Sequence, residues 1–403
     1  MTKDGTRLVI VSNRLPSVVD RVGDNWKVRP ASGGLITAMA PVLRDRGGIW
    51  IGWPGTLEGD DVNLDELLAE GSRHSGYSLS PVILTREERD NFYYGFANEI
   101  IWPLFHSLDE RCTFDPAYWR TYQRVNAKFA EVVHRNIQGG DNYVWVHDYH
   151  LMMVAAELRR VGVRSKVGFF LHIPFPPLDI FLKLPWRFQV LRGLLSYDMV
   201  GFQTVGDRRN FVHCIRTLLK DVTVTGRGRV QTLKTPTQDV RIGTFPISID
   251  FDDFAHKAAE PGVEQHMASL AEQYPSRKVI LGVDRLDYTK GIPHRLKAFR
   301  NAIIRYPELR REVTLVQVVV PSREALPAYQ QLKEQIDELV GEINGEHTQP
   351  GWVPIHYHFR TLSQDELLAY YRFADVGLVT PLNDGMNLVA KEYCACNREE
   401  GGF

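Results

Sequence analysis

Charged and polar residues in this sequence gather directly behind short apolar runs, where a parallel α/β sheet offers its strand ends to a ligand. Ser12-Asn13-Arg14 follows the run at 8–11, His147-Asp148-Tyr149-His150 the run at 143–146, and His172 the run at 167–171. Further on, Asp284-Arg285-Leu286-Asp287-Tyr288-Thr289-Lys290-Gly291 follows 278–283. Pro321-Ser322-Arg323 follows 315–320, and Pro381-Leu382-Asn383-Asp384-Gly385-Met386-Asn387-Leu388-Val389 follows 376–379. Arg285 and Lys290 share one turn. A guanidinium fork beside a lysine point charge suits a pyrophosphate, although two solvated cations on a surface turn have the same spacing. Gly33-Gly34 precedes a helical stretch, so backbone there can approach a ligand at a helix N-terminus. Asp384-Gly385-Met386-Asn387 opens another helix, with Glu392 in its next turn. Those N–H groups and carboxylates could hold sugar hydroxyls and a ribose; ordinary N-capping accounts for the same residues. Tyr93, Trp102 and Phe105 lie on one helical stretch, offering ring faces to a sugar or one apolar side to a core.

Other chemistries fit less well. No G-x-G-x-x-G follows the first strand, which disfavours a nicotinamide enzyme, and no Walker A sequence is present. His147, His150 and His172, and the pair His356 and His358, lack the carboxylate–histidine pattern of a known metal type. Asp250-x-Asp252 has an acidic metal-binding spacing but falls in the stretch 243–254 between two series of strands and helices, where it reads as a solvated turn. No metal site is expected.

The elements that must position these residues alternate between strand and helix, the signature of parallel sheets covered on both faces. The first series has strands at 8–11, 49–53, 143–146, 167–171 and 199–202. Helices are expected at 33–44 (after a loop), 87–106, 116–137, 151–160, 180–195 and 207–219. The second series has strands at 278–283, 315–320, 355–359 and 376–379, with helices at 293–306, 328–343, 364–373 and from about Asn387. The chain of 403 residues suits two domains, expected at 1–245 and 246–403. The second series stops soon after a helix at Phe403, and a sheet of this kind would be expected to continue. The balance of 48 basic and 49 acidic residues argues against a general nucleic-acid binder. The polar stretch 1–7 has no apolar signal-peptide core, and no run approaches a membrane span. Cys112, Cys214, Cys394 and Cys396 fit neither a zinc ribbon nor a disulfide framework, so a reducing cytoplasm is the expected setting. Homo-oligomerisation stays open.

Together, VSNRLP, ASGGL, WVHDYHL, FFLHIPFP, GVDRLDYTKGI and TPLNDGMNLVAKEY resemble the trehalose-6-phosphate synthase family in order and spacing, from Leu8 to Glu392. The resemblance implies a retaining glycosyltransferase of family 20. Its implied fold is α/β of the GT-B type, two Rossmann-like domains with parallel sheets facing a cleft, with no cofactor or catalytic metal. The first domain would bind the acceptor and the second the nucleotide-sugar. The implied partners are glucose 6-phosphate and a nucleotide-glucose, UDP-glucose by usual expectation, with GDP- or ADP-glucose also open.

By the same resemblance, Arg14 and Arg323 bind the acceptor phosphate, Tyr93 and Trp102 line the acceptor pocket, and Asp148 holds an acceptor hydroxyl. Gly33 presents backbone to the donor. His172 touches the donor glucose, as do Asp384 and the backbone of Gly385, Met386, Asn387, Leu388 and Val389. Arg285 and Lys290 neutralise the leaving diphosphate, Glu392 holds the ribose, and the base lies near 357–360. Asp148, His172, Arg285 and Lys290 form the implied catalytic group. The rival readings are a same-fold transferase with another phosphorylated acceptor or a pseudo-sugar donor, and a non-catalytic sugar-phosphate sensor.

Overall fold

The computed structural model describes residues 6–23, 25–30, 34–137, 141–385 and 387–397. Gly33 and Met386 lie outside these residues. The chain divides into two compact units, Met1–Ile247 and Ser248–Phe403.

The first unit carries β1 (Arg7–Arg14), β2 (Ser17–Val22), β3 (Asn25–Pro30), β4 (Gly48–Trp53), β5 (Ser78–Pro81) and β6 (Asn142–His147). It continues through β7 (Lys166–Leu171), β8 (Met199–Phe202), β9 (Thr223–Thr225), β10 (Val230–Lys234) and β11 (Asp239–Thr244). One sheet runs β5-β4-β1-β6-β7-β8-β11-β10-β9, and β2 and β3 form a separate antiparallel hairpin. The strands from β5 to β11 in that order are parallel; β10 runs antiparallel to both its neighbours. Val9, Ile10 and Val11 of β1 are fully buried, as the continuous apolar run of a sheet covered on both faces requires. The sheet grows from β1 in both directions, to β4 on one side and β6 on the other. That reversal opens a crevice at the carboxyl ends of β1 and β6.

The second unit holds β12 (Lys278–Arg285), β13 (Val313–Val320), β14 (Ile355–Phe359) and β15 (Val376–Gly377), all parallel, in the order β14-β13-β12-β15. Here the reversal falls at β12. Its core packs Val279, Leu281, Val316 and Val318 of the sheet against Val263, Leu270, Leu368 and Tyr371 of the helices.

Several elements differ from their sequence expectation. The helical run at 87–106 is mostly π-helical: Arg89–Ile101 is wound with i→i+5 bonds, and Trp102 N–H reaches back to Ala97 O. The helix expected at 180–195 is two pieces, Leu178–Phe181 and Arg187–Leu194, interrupted around Pro185, which has no N–H to continue the ladder. The helix expected from Leu151 begins at Val154, after a 3₁₀ turn at Tyr149–Leu151. Asp250 caps the helix Phe251–Lys257 by accepting from Asp253 N at 3.1 Å, so this acidic stretch is a helix start and not a loose turn. No helix among the described residues is long and apolar enough to cross a membrane.

Candidate active site

Arg14 ends β1. Its guanidinium lies 3.9 Å from the centroid of the Trp53 ring and 5.8 Å from that of Tyr93. Burial lowers its pKa, while Tyr93, Tyr94 and Asp20 act in the opposite sense. No carboxylate among the described residues forms an ion pair with it, so the rings supply most of its compensation. Gly55, at φ +107°, makes this possible: a Cβ there would stand 2.9 Å from Arg14 Nη1. Tyr93 also stacks on His150, with centroids 5.9 Å apart. Trp102 is buried against Tyr149 and His106 at 5.6 and 4.3 Å, and so packs beside the 147–150 turn.

Parallel pairing of β6 with β7 sets His147 opposite Phe170, so the residues leaving both strands meet. Asp148 N–H donates to Phe170 O at 2.8 Å, and Asp148 Oδ1 accepts from His172 N–H at 3.2 Å. Asp148 has φ 73° and ψ 168°, a region that essentially only glycine occupies without strain. His147 Nδ1 and His172 Nε2 are 3.1 Å apart. Burial lowers the pKa of both rings: His147 falls well below its ordinary value, with His172 adding to the effect, and His172 falls to about 4.

In the second unit the turn after β12 and the segment after β15 are tied together. Leu382 N–H donates to Thr289 O at 2.8 Å. Gly291, at φ +65°, leaves room for Thr380 O, which would lie 2.5 Å from a Cβ. Lys290 Nζ contacts Asp384 Oδ2 at 2.5 Å, and Asn387 Nδ2 donates to the same oxygen at 3.3 Å. Asn387 Oδ1 caps the helix Leu388–Cys396 through Ala390 N at 3.1 Å, which places Leu388 and Val389 in its first turn after Gly385. One turn on, Glu392 Oε2 accepts from Tyr371 Oη at 2.9 Å, and burial raises the Glu392 pKa against that bond.

Arg323 follows β13 at φ +50°. It donates from Nη1 to Asp287 Oδ2 at 3.2 Å and to Tyr329 Oη at 2.5 Å. Burial alone would raise the Asp287 carboxyl, but Arg323, Arg285, the Thr289 N–H and Lys290 hold it below its ordinary value. The Arg285 side chain itself is exposed. Behind the turn, Arg295 is 2% exposed. It binds Asp284 Oδ2 at 2.5 Å, Gln317 Oε1 at 3.0 Å and Thr380 Oγ1 at 3.0 Å, stitching together the exits of β12 and β15 and the middle of β13. The stretch at 357–360 runs off β14, and Arg360 there pairs with Glu366 at 3.0 Å. Among the described residues, Arg14 and the 147–150 turn thus lie at the first reversal and Asp284–Lys290 and 380–385 at the second; Arg323 reaches the second from β13 through Asp287, and 357–360 leaves the edge strand β14.

The sequence profile of Glycosyltransferase family 20 matches residues 6–403. The chain belongs to glycosyltransferase family 20. A trehalose-6-phosphate synthase of Mycobacterium avium (strain 104) is 42% identical over 402 residues, covering 98% of this chain and 80% of that protein. A UDP-forming α,α-trehalose-phosphate synthase from Burkholderia xenovorans, solved in complex with glucose 6-phosphate, is 33% identical. It superposes with a TM-score of 0.87 over 98% of this chain and 84% of its own. A structure from E. coli bound with UDP-2-fluoro glucose is 35% identical, with a TM-score of 0.86 over 98% and 83%. The family-20 chain is therefore a glycosyltransferase of the α/β, GT-B class.

Sequence reasoning missed several residues around the candidate site. Trp53 under Arg14, Tyr329 beside Arg323, the Arg295 node and Tyr371 on Glu392 were not singled out, while His147 and Asp287 were named at strand exits without their pairing to His172 and Arg323. Asp287 had a local signal, since an Asp two residues before a Thr commonly accepts from its backbone, as it does here at 3.0 Å. The others had none.

Proposed function

We propose that this family-20 glycosyltransferase moves glucose from UDP-glucose to glucose 6-phosphate with retention, giving α,α-trehalose 6-phosphate. The observation that carries this reading is the distribution of cations at the two reversal points. One ring-backed arginine, Arg14, suits an acceptor phosphate, and Lys290 tied to Asp384 beside a helix start suits a sugar diphosphate. The similar structures bound with glucose 6-phosphate and UDP-2-fluoro glucose support the same pair of substrates.

In this reading Arg14 and Arg323 take the acceptor phosphate, Tyr93 and Trp102 line its sugar, and Asp148 accepts from an acceptor hydroxyl. Asp384 and the backbone from Gly385 to Val389 hold the donor glucose, and Glu392 accepts from the ribose. Arg285 and Lys290 neutralise charge as the bond from the anomeric carbon to the diphosphate oxygen breaks. The acceptor hydroxyl attacks the face the diphosphate leaves. Its proton passes to a diphosphate oxygen, so no protein nucleophile is used and the anomeric configuration is kept. Mixing the purified protein with glucose 6-phosphate and UDP-, GDP- or ADP-glucose tests this. A disaccharide phosphate with both anomeric centres α, formed best with UDP-glucose, is the expected outcome. Nucleotide binding with no product from any donor would sink the reading in favour of a sensor.

A further inference from the structure

The two histidines behind β6 and β7 carry an inference about which atom faces the sugar. It rests on the proposed function together with the contact between His172 and the transferred glucose that the family resemblance implies. His147 is 1% exposed, and the only hydrogen-bond partner of its ring among the described residues is His172, at 3.1 Å from Nδ1 to Nε2. Its other nitrogen, Nε2, is buried without a hydrogen-bond partner, and the Trp145 ring packs on it at 4.7 Å between centroids. Two neutral imidazoles sharing one hydrogen bond have two arrangements. With the proton of His147 on Nε2, a buried N–H is left unpaired. With it on Nδ1, only an acceptor lone pair is left over. Orphaned buried donors are the rarer and more costly case.

We propose that His147 is a positioning residue: its Nδ1–H donates to Nε2 of His172 and fixes the tautomer in which His172 carries its proton on Nδ1. Which nitrogen of an imidazole is protonated is set by the bond its other nitrogen makes. His172 then presents a neutral N–H donor, aimed at a hydroxyl oxygen of the transferred sugar. It cannot serve as a general base through Nε2, because that lone pair is occupied. The Asp148 carboxylate holds the backbone N–H of the same residue at 3.2 Å, so ring and main chain of His172 are fixed by neighbouring residues of one turn. Burial keeps both rings uncharged near neutral pH, in keeping with a donor that does not titrate during turnover.

The tautomer can be read directly. In protein with ¹⁵N-labelled histidine, long-range proton–nitrogen correlations distinguish Nδ1–H from Nε2–H, and His172→Asn assigns the signal by its disappearance. The expected spectrum shows His172 protonated on Nδ1; protonation on Nε2 overturns the proposal. This result does not depend on which sugar nucleotide or acceptor the enzyme uses, so it stands apart from the outcome of the activity assay. In kinetics, His147→Phe keeps the ring volume but removes the donor, and should lower kcat/KM for the sugar nucleotide roughly ten- to a hundredfold. KM for the phosphorylated acceptor should not move. His147→Asn places an amide N–H near the Nδ1 position and should recover most of the loss. Equal losses in the Phe and Asn variants, or no loss in either, would overturn the assignment.

Discussion

The two strand-order reversals handle charge in opposite ways. At the first, Arg14 is compensated by aromatic rings, and the histidines beside Asp148 are kept neutral by burial. At the second, Lys290, Arg295 and Arg323 each rest on an aspartate: Asp384, Asp284 and Asp287. A guanidinium backed by rings meets an incoming anion with no carboxylate to displace. A lysine already engaged by Asp384 must exchange that partner for phosphate oxygens, while Asp384 turns to accept from sugar hydroxyls. Under the proposed function the Arg14 part of the acceptor site is preformed, and the Lys290–Asp384 pair is one that the donor divides between its two ends.

Four measurements would break or sharpen that contrast. The largest effect is expected from Lys290→Ala, which removes charge at the leaving diphosphate and should lower kcat roughly a hundred- to a thousandfold in steady-state assays with the fold intact by circular dichroism. Near-normal turnover would show that the pair with Asp384 is only structural. Next, Arg14→Ala should raise KM for glucose 6-phosphate by roughly ten- to a hundredfold with little change in donor affinity. A shift in donor KM of equal size would erase the distinction between the two sites.

Asp384→Asn separates the two roles of that residue. Turnover should fall, yet UDP alone should bind about threefold or more tightly by calorimetry, because the carboxylate no longer competes for Lys290. Weaker UDP binding would mean the pair orders the site and does not oppose the ligand. The smallest effect concerns acid. Unfolded imidazoles titrate near the ordinary value of 6.5, whereas His172 is held at about 4 and His147 well below 6.5. Below pH 6.5 the unfolded chain takes up protons that the folded rings refuse. Their contribution to stability is therefore complete above pH 6.5 and is lost as pH falls toward 4. Thermal melts between pH 7 and 4 should show Tm falling, and His172→Asn should flatten part of that slope.

The strand ends were legible because the sequence signals there reinforce one another. Apolar runs such as 199–202 and 355–359 are strands as expected, and the helix 364–373 matches at both ends, its Ser363 and Glu366 forming a capping box. The strands β9 to β11, where β10 turns antiparallel to its neighbours, were not, since VQTLK and DVRIGT are half polar and carry no continuous run. The π-winding of 89–101 left no mark, because the same residues satisfy an α pattern. Within the site, the residues that would meet ligand stood out by type and place. Their supports did not: Glu392 and Tyr371 are 21 residues apart, and Lys290 and Asp384 are 94 apart, so only the folded sheet pairs them.

Asp148 holds a backbone shape suited to glycine, with a strain on the order of 1 to 3 kcal/mol. The rest of the unit keeps it there, and the carboxylate meets the His172 amide as a result. A laboratory selection for heat resistance alone would favour Asp148→Gly only where the strain it relaxes exceeds the lost bond to the His172 amide and the added freedom of glycine in the unfolded chain. The survivors would melt later and catalyse less, so the position offers a built-in gauge of whether such a selection has kept function in view.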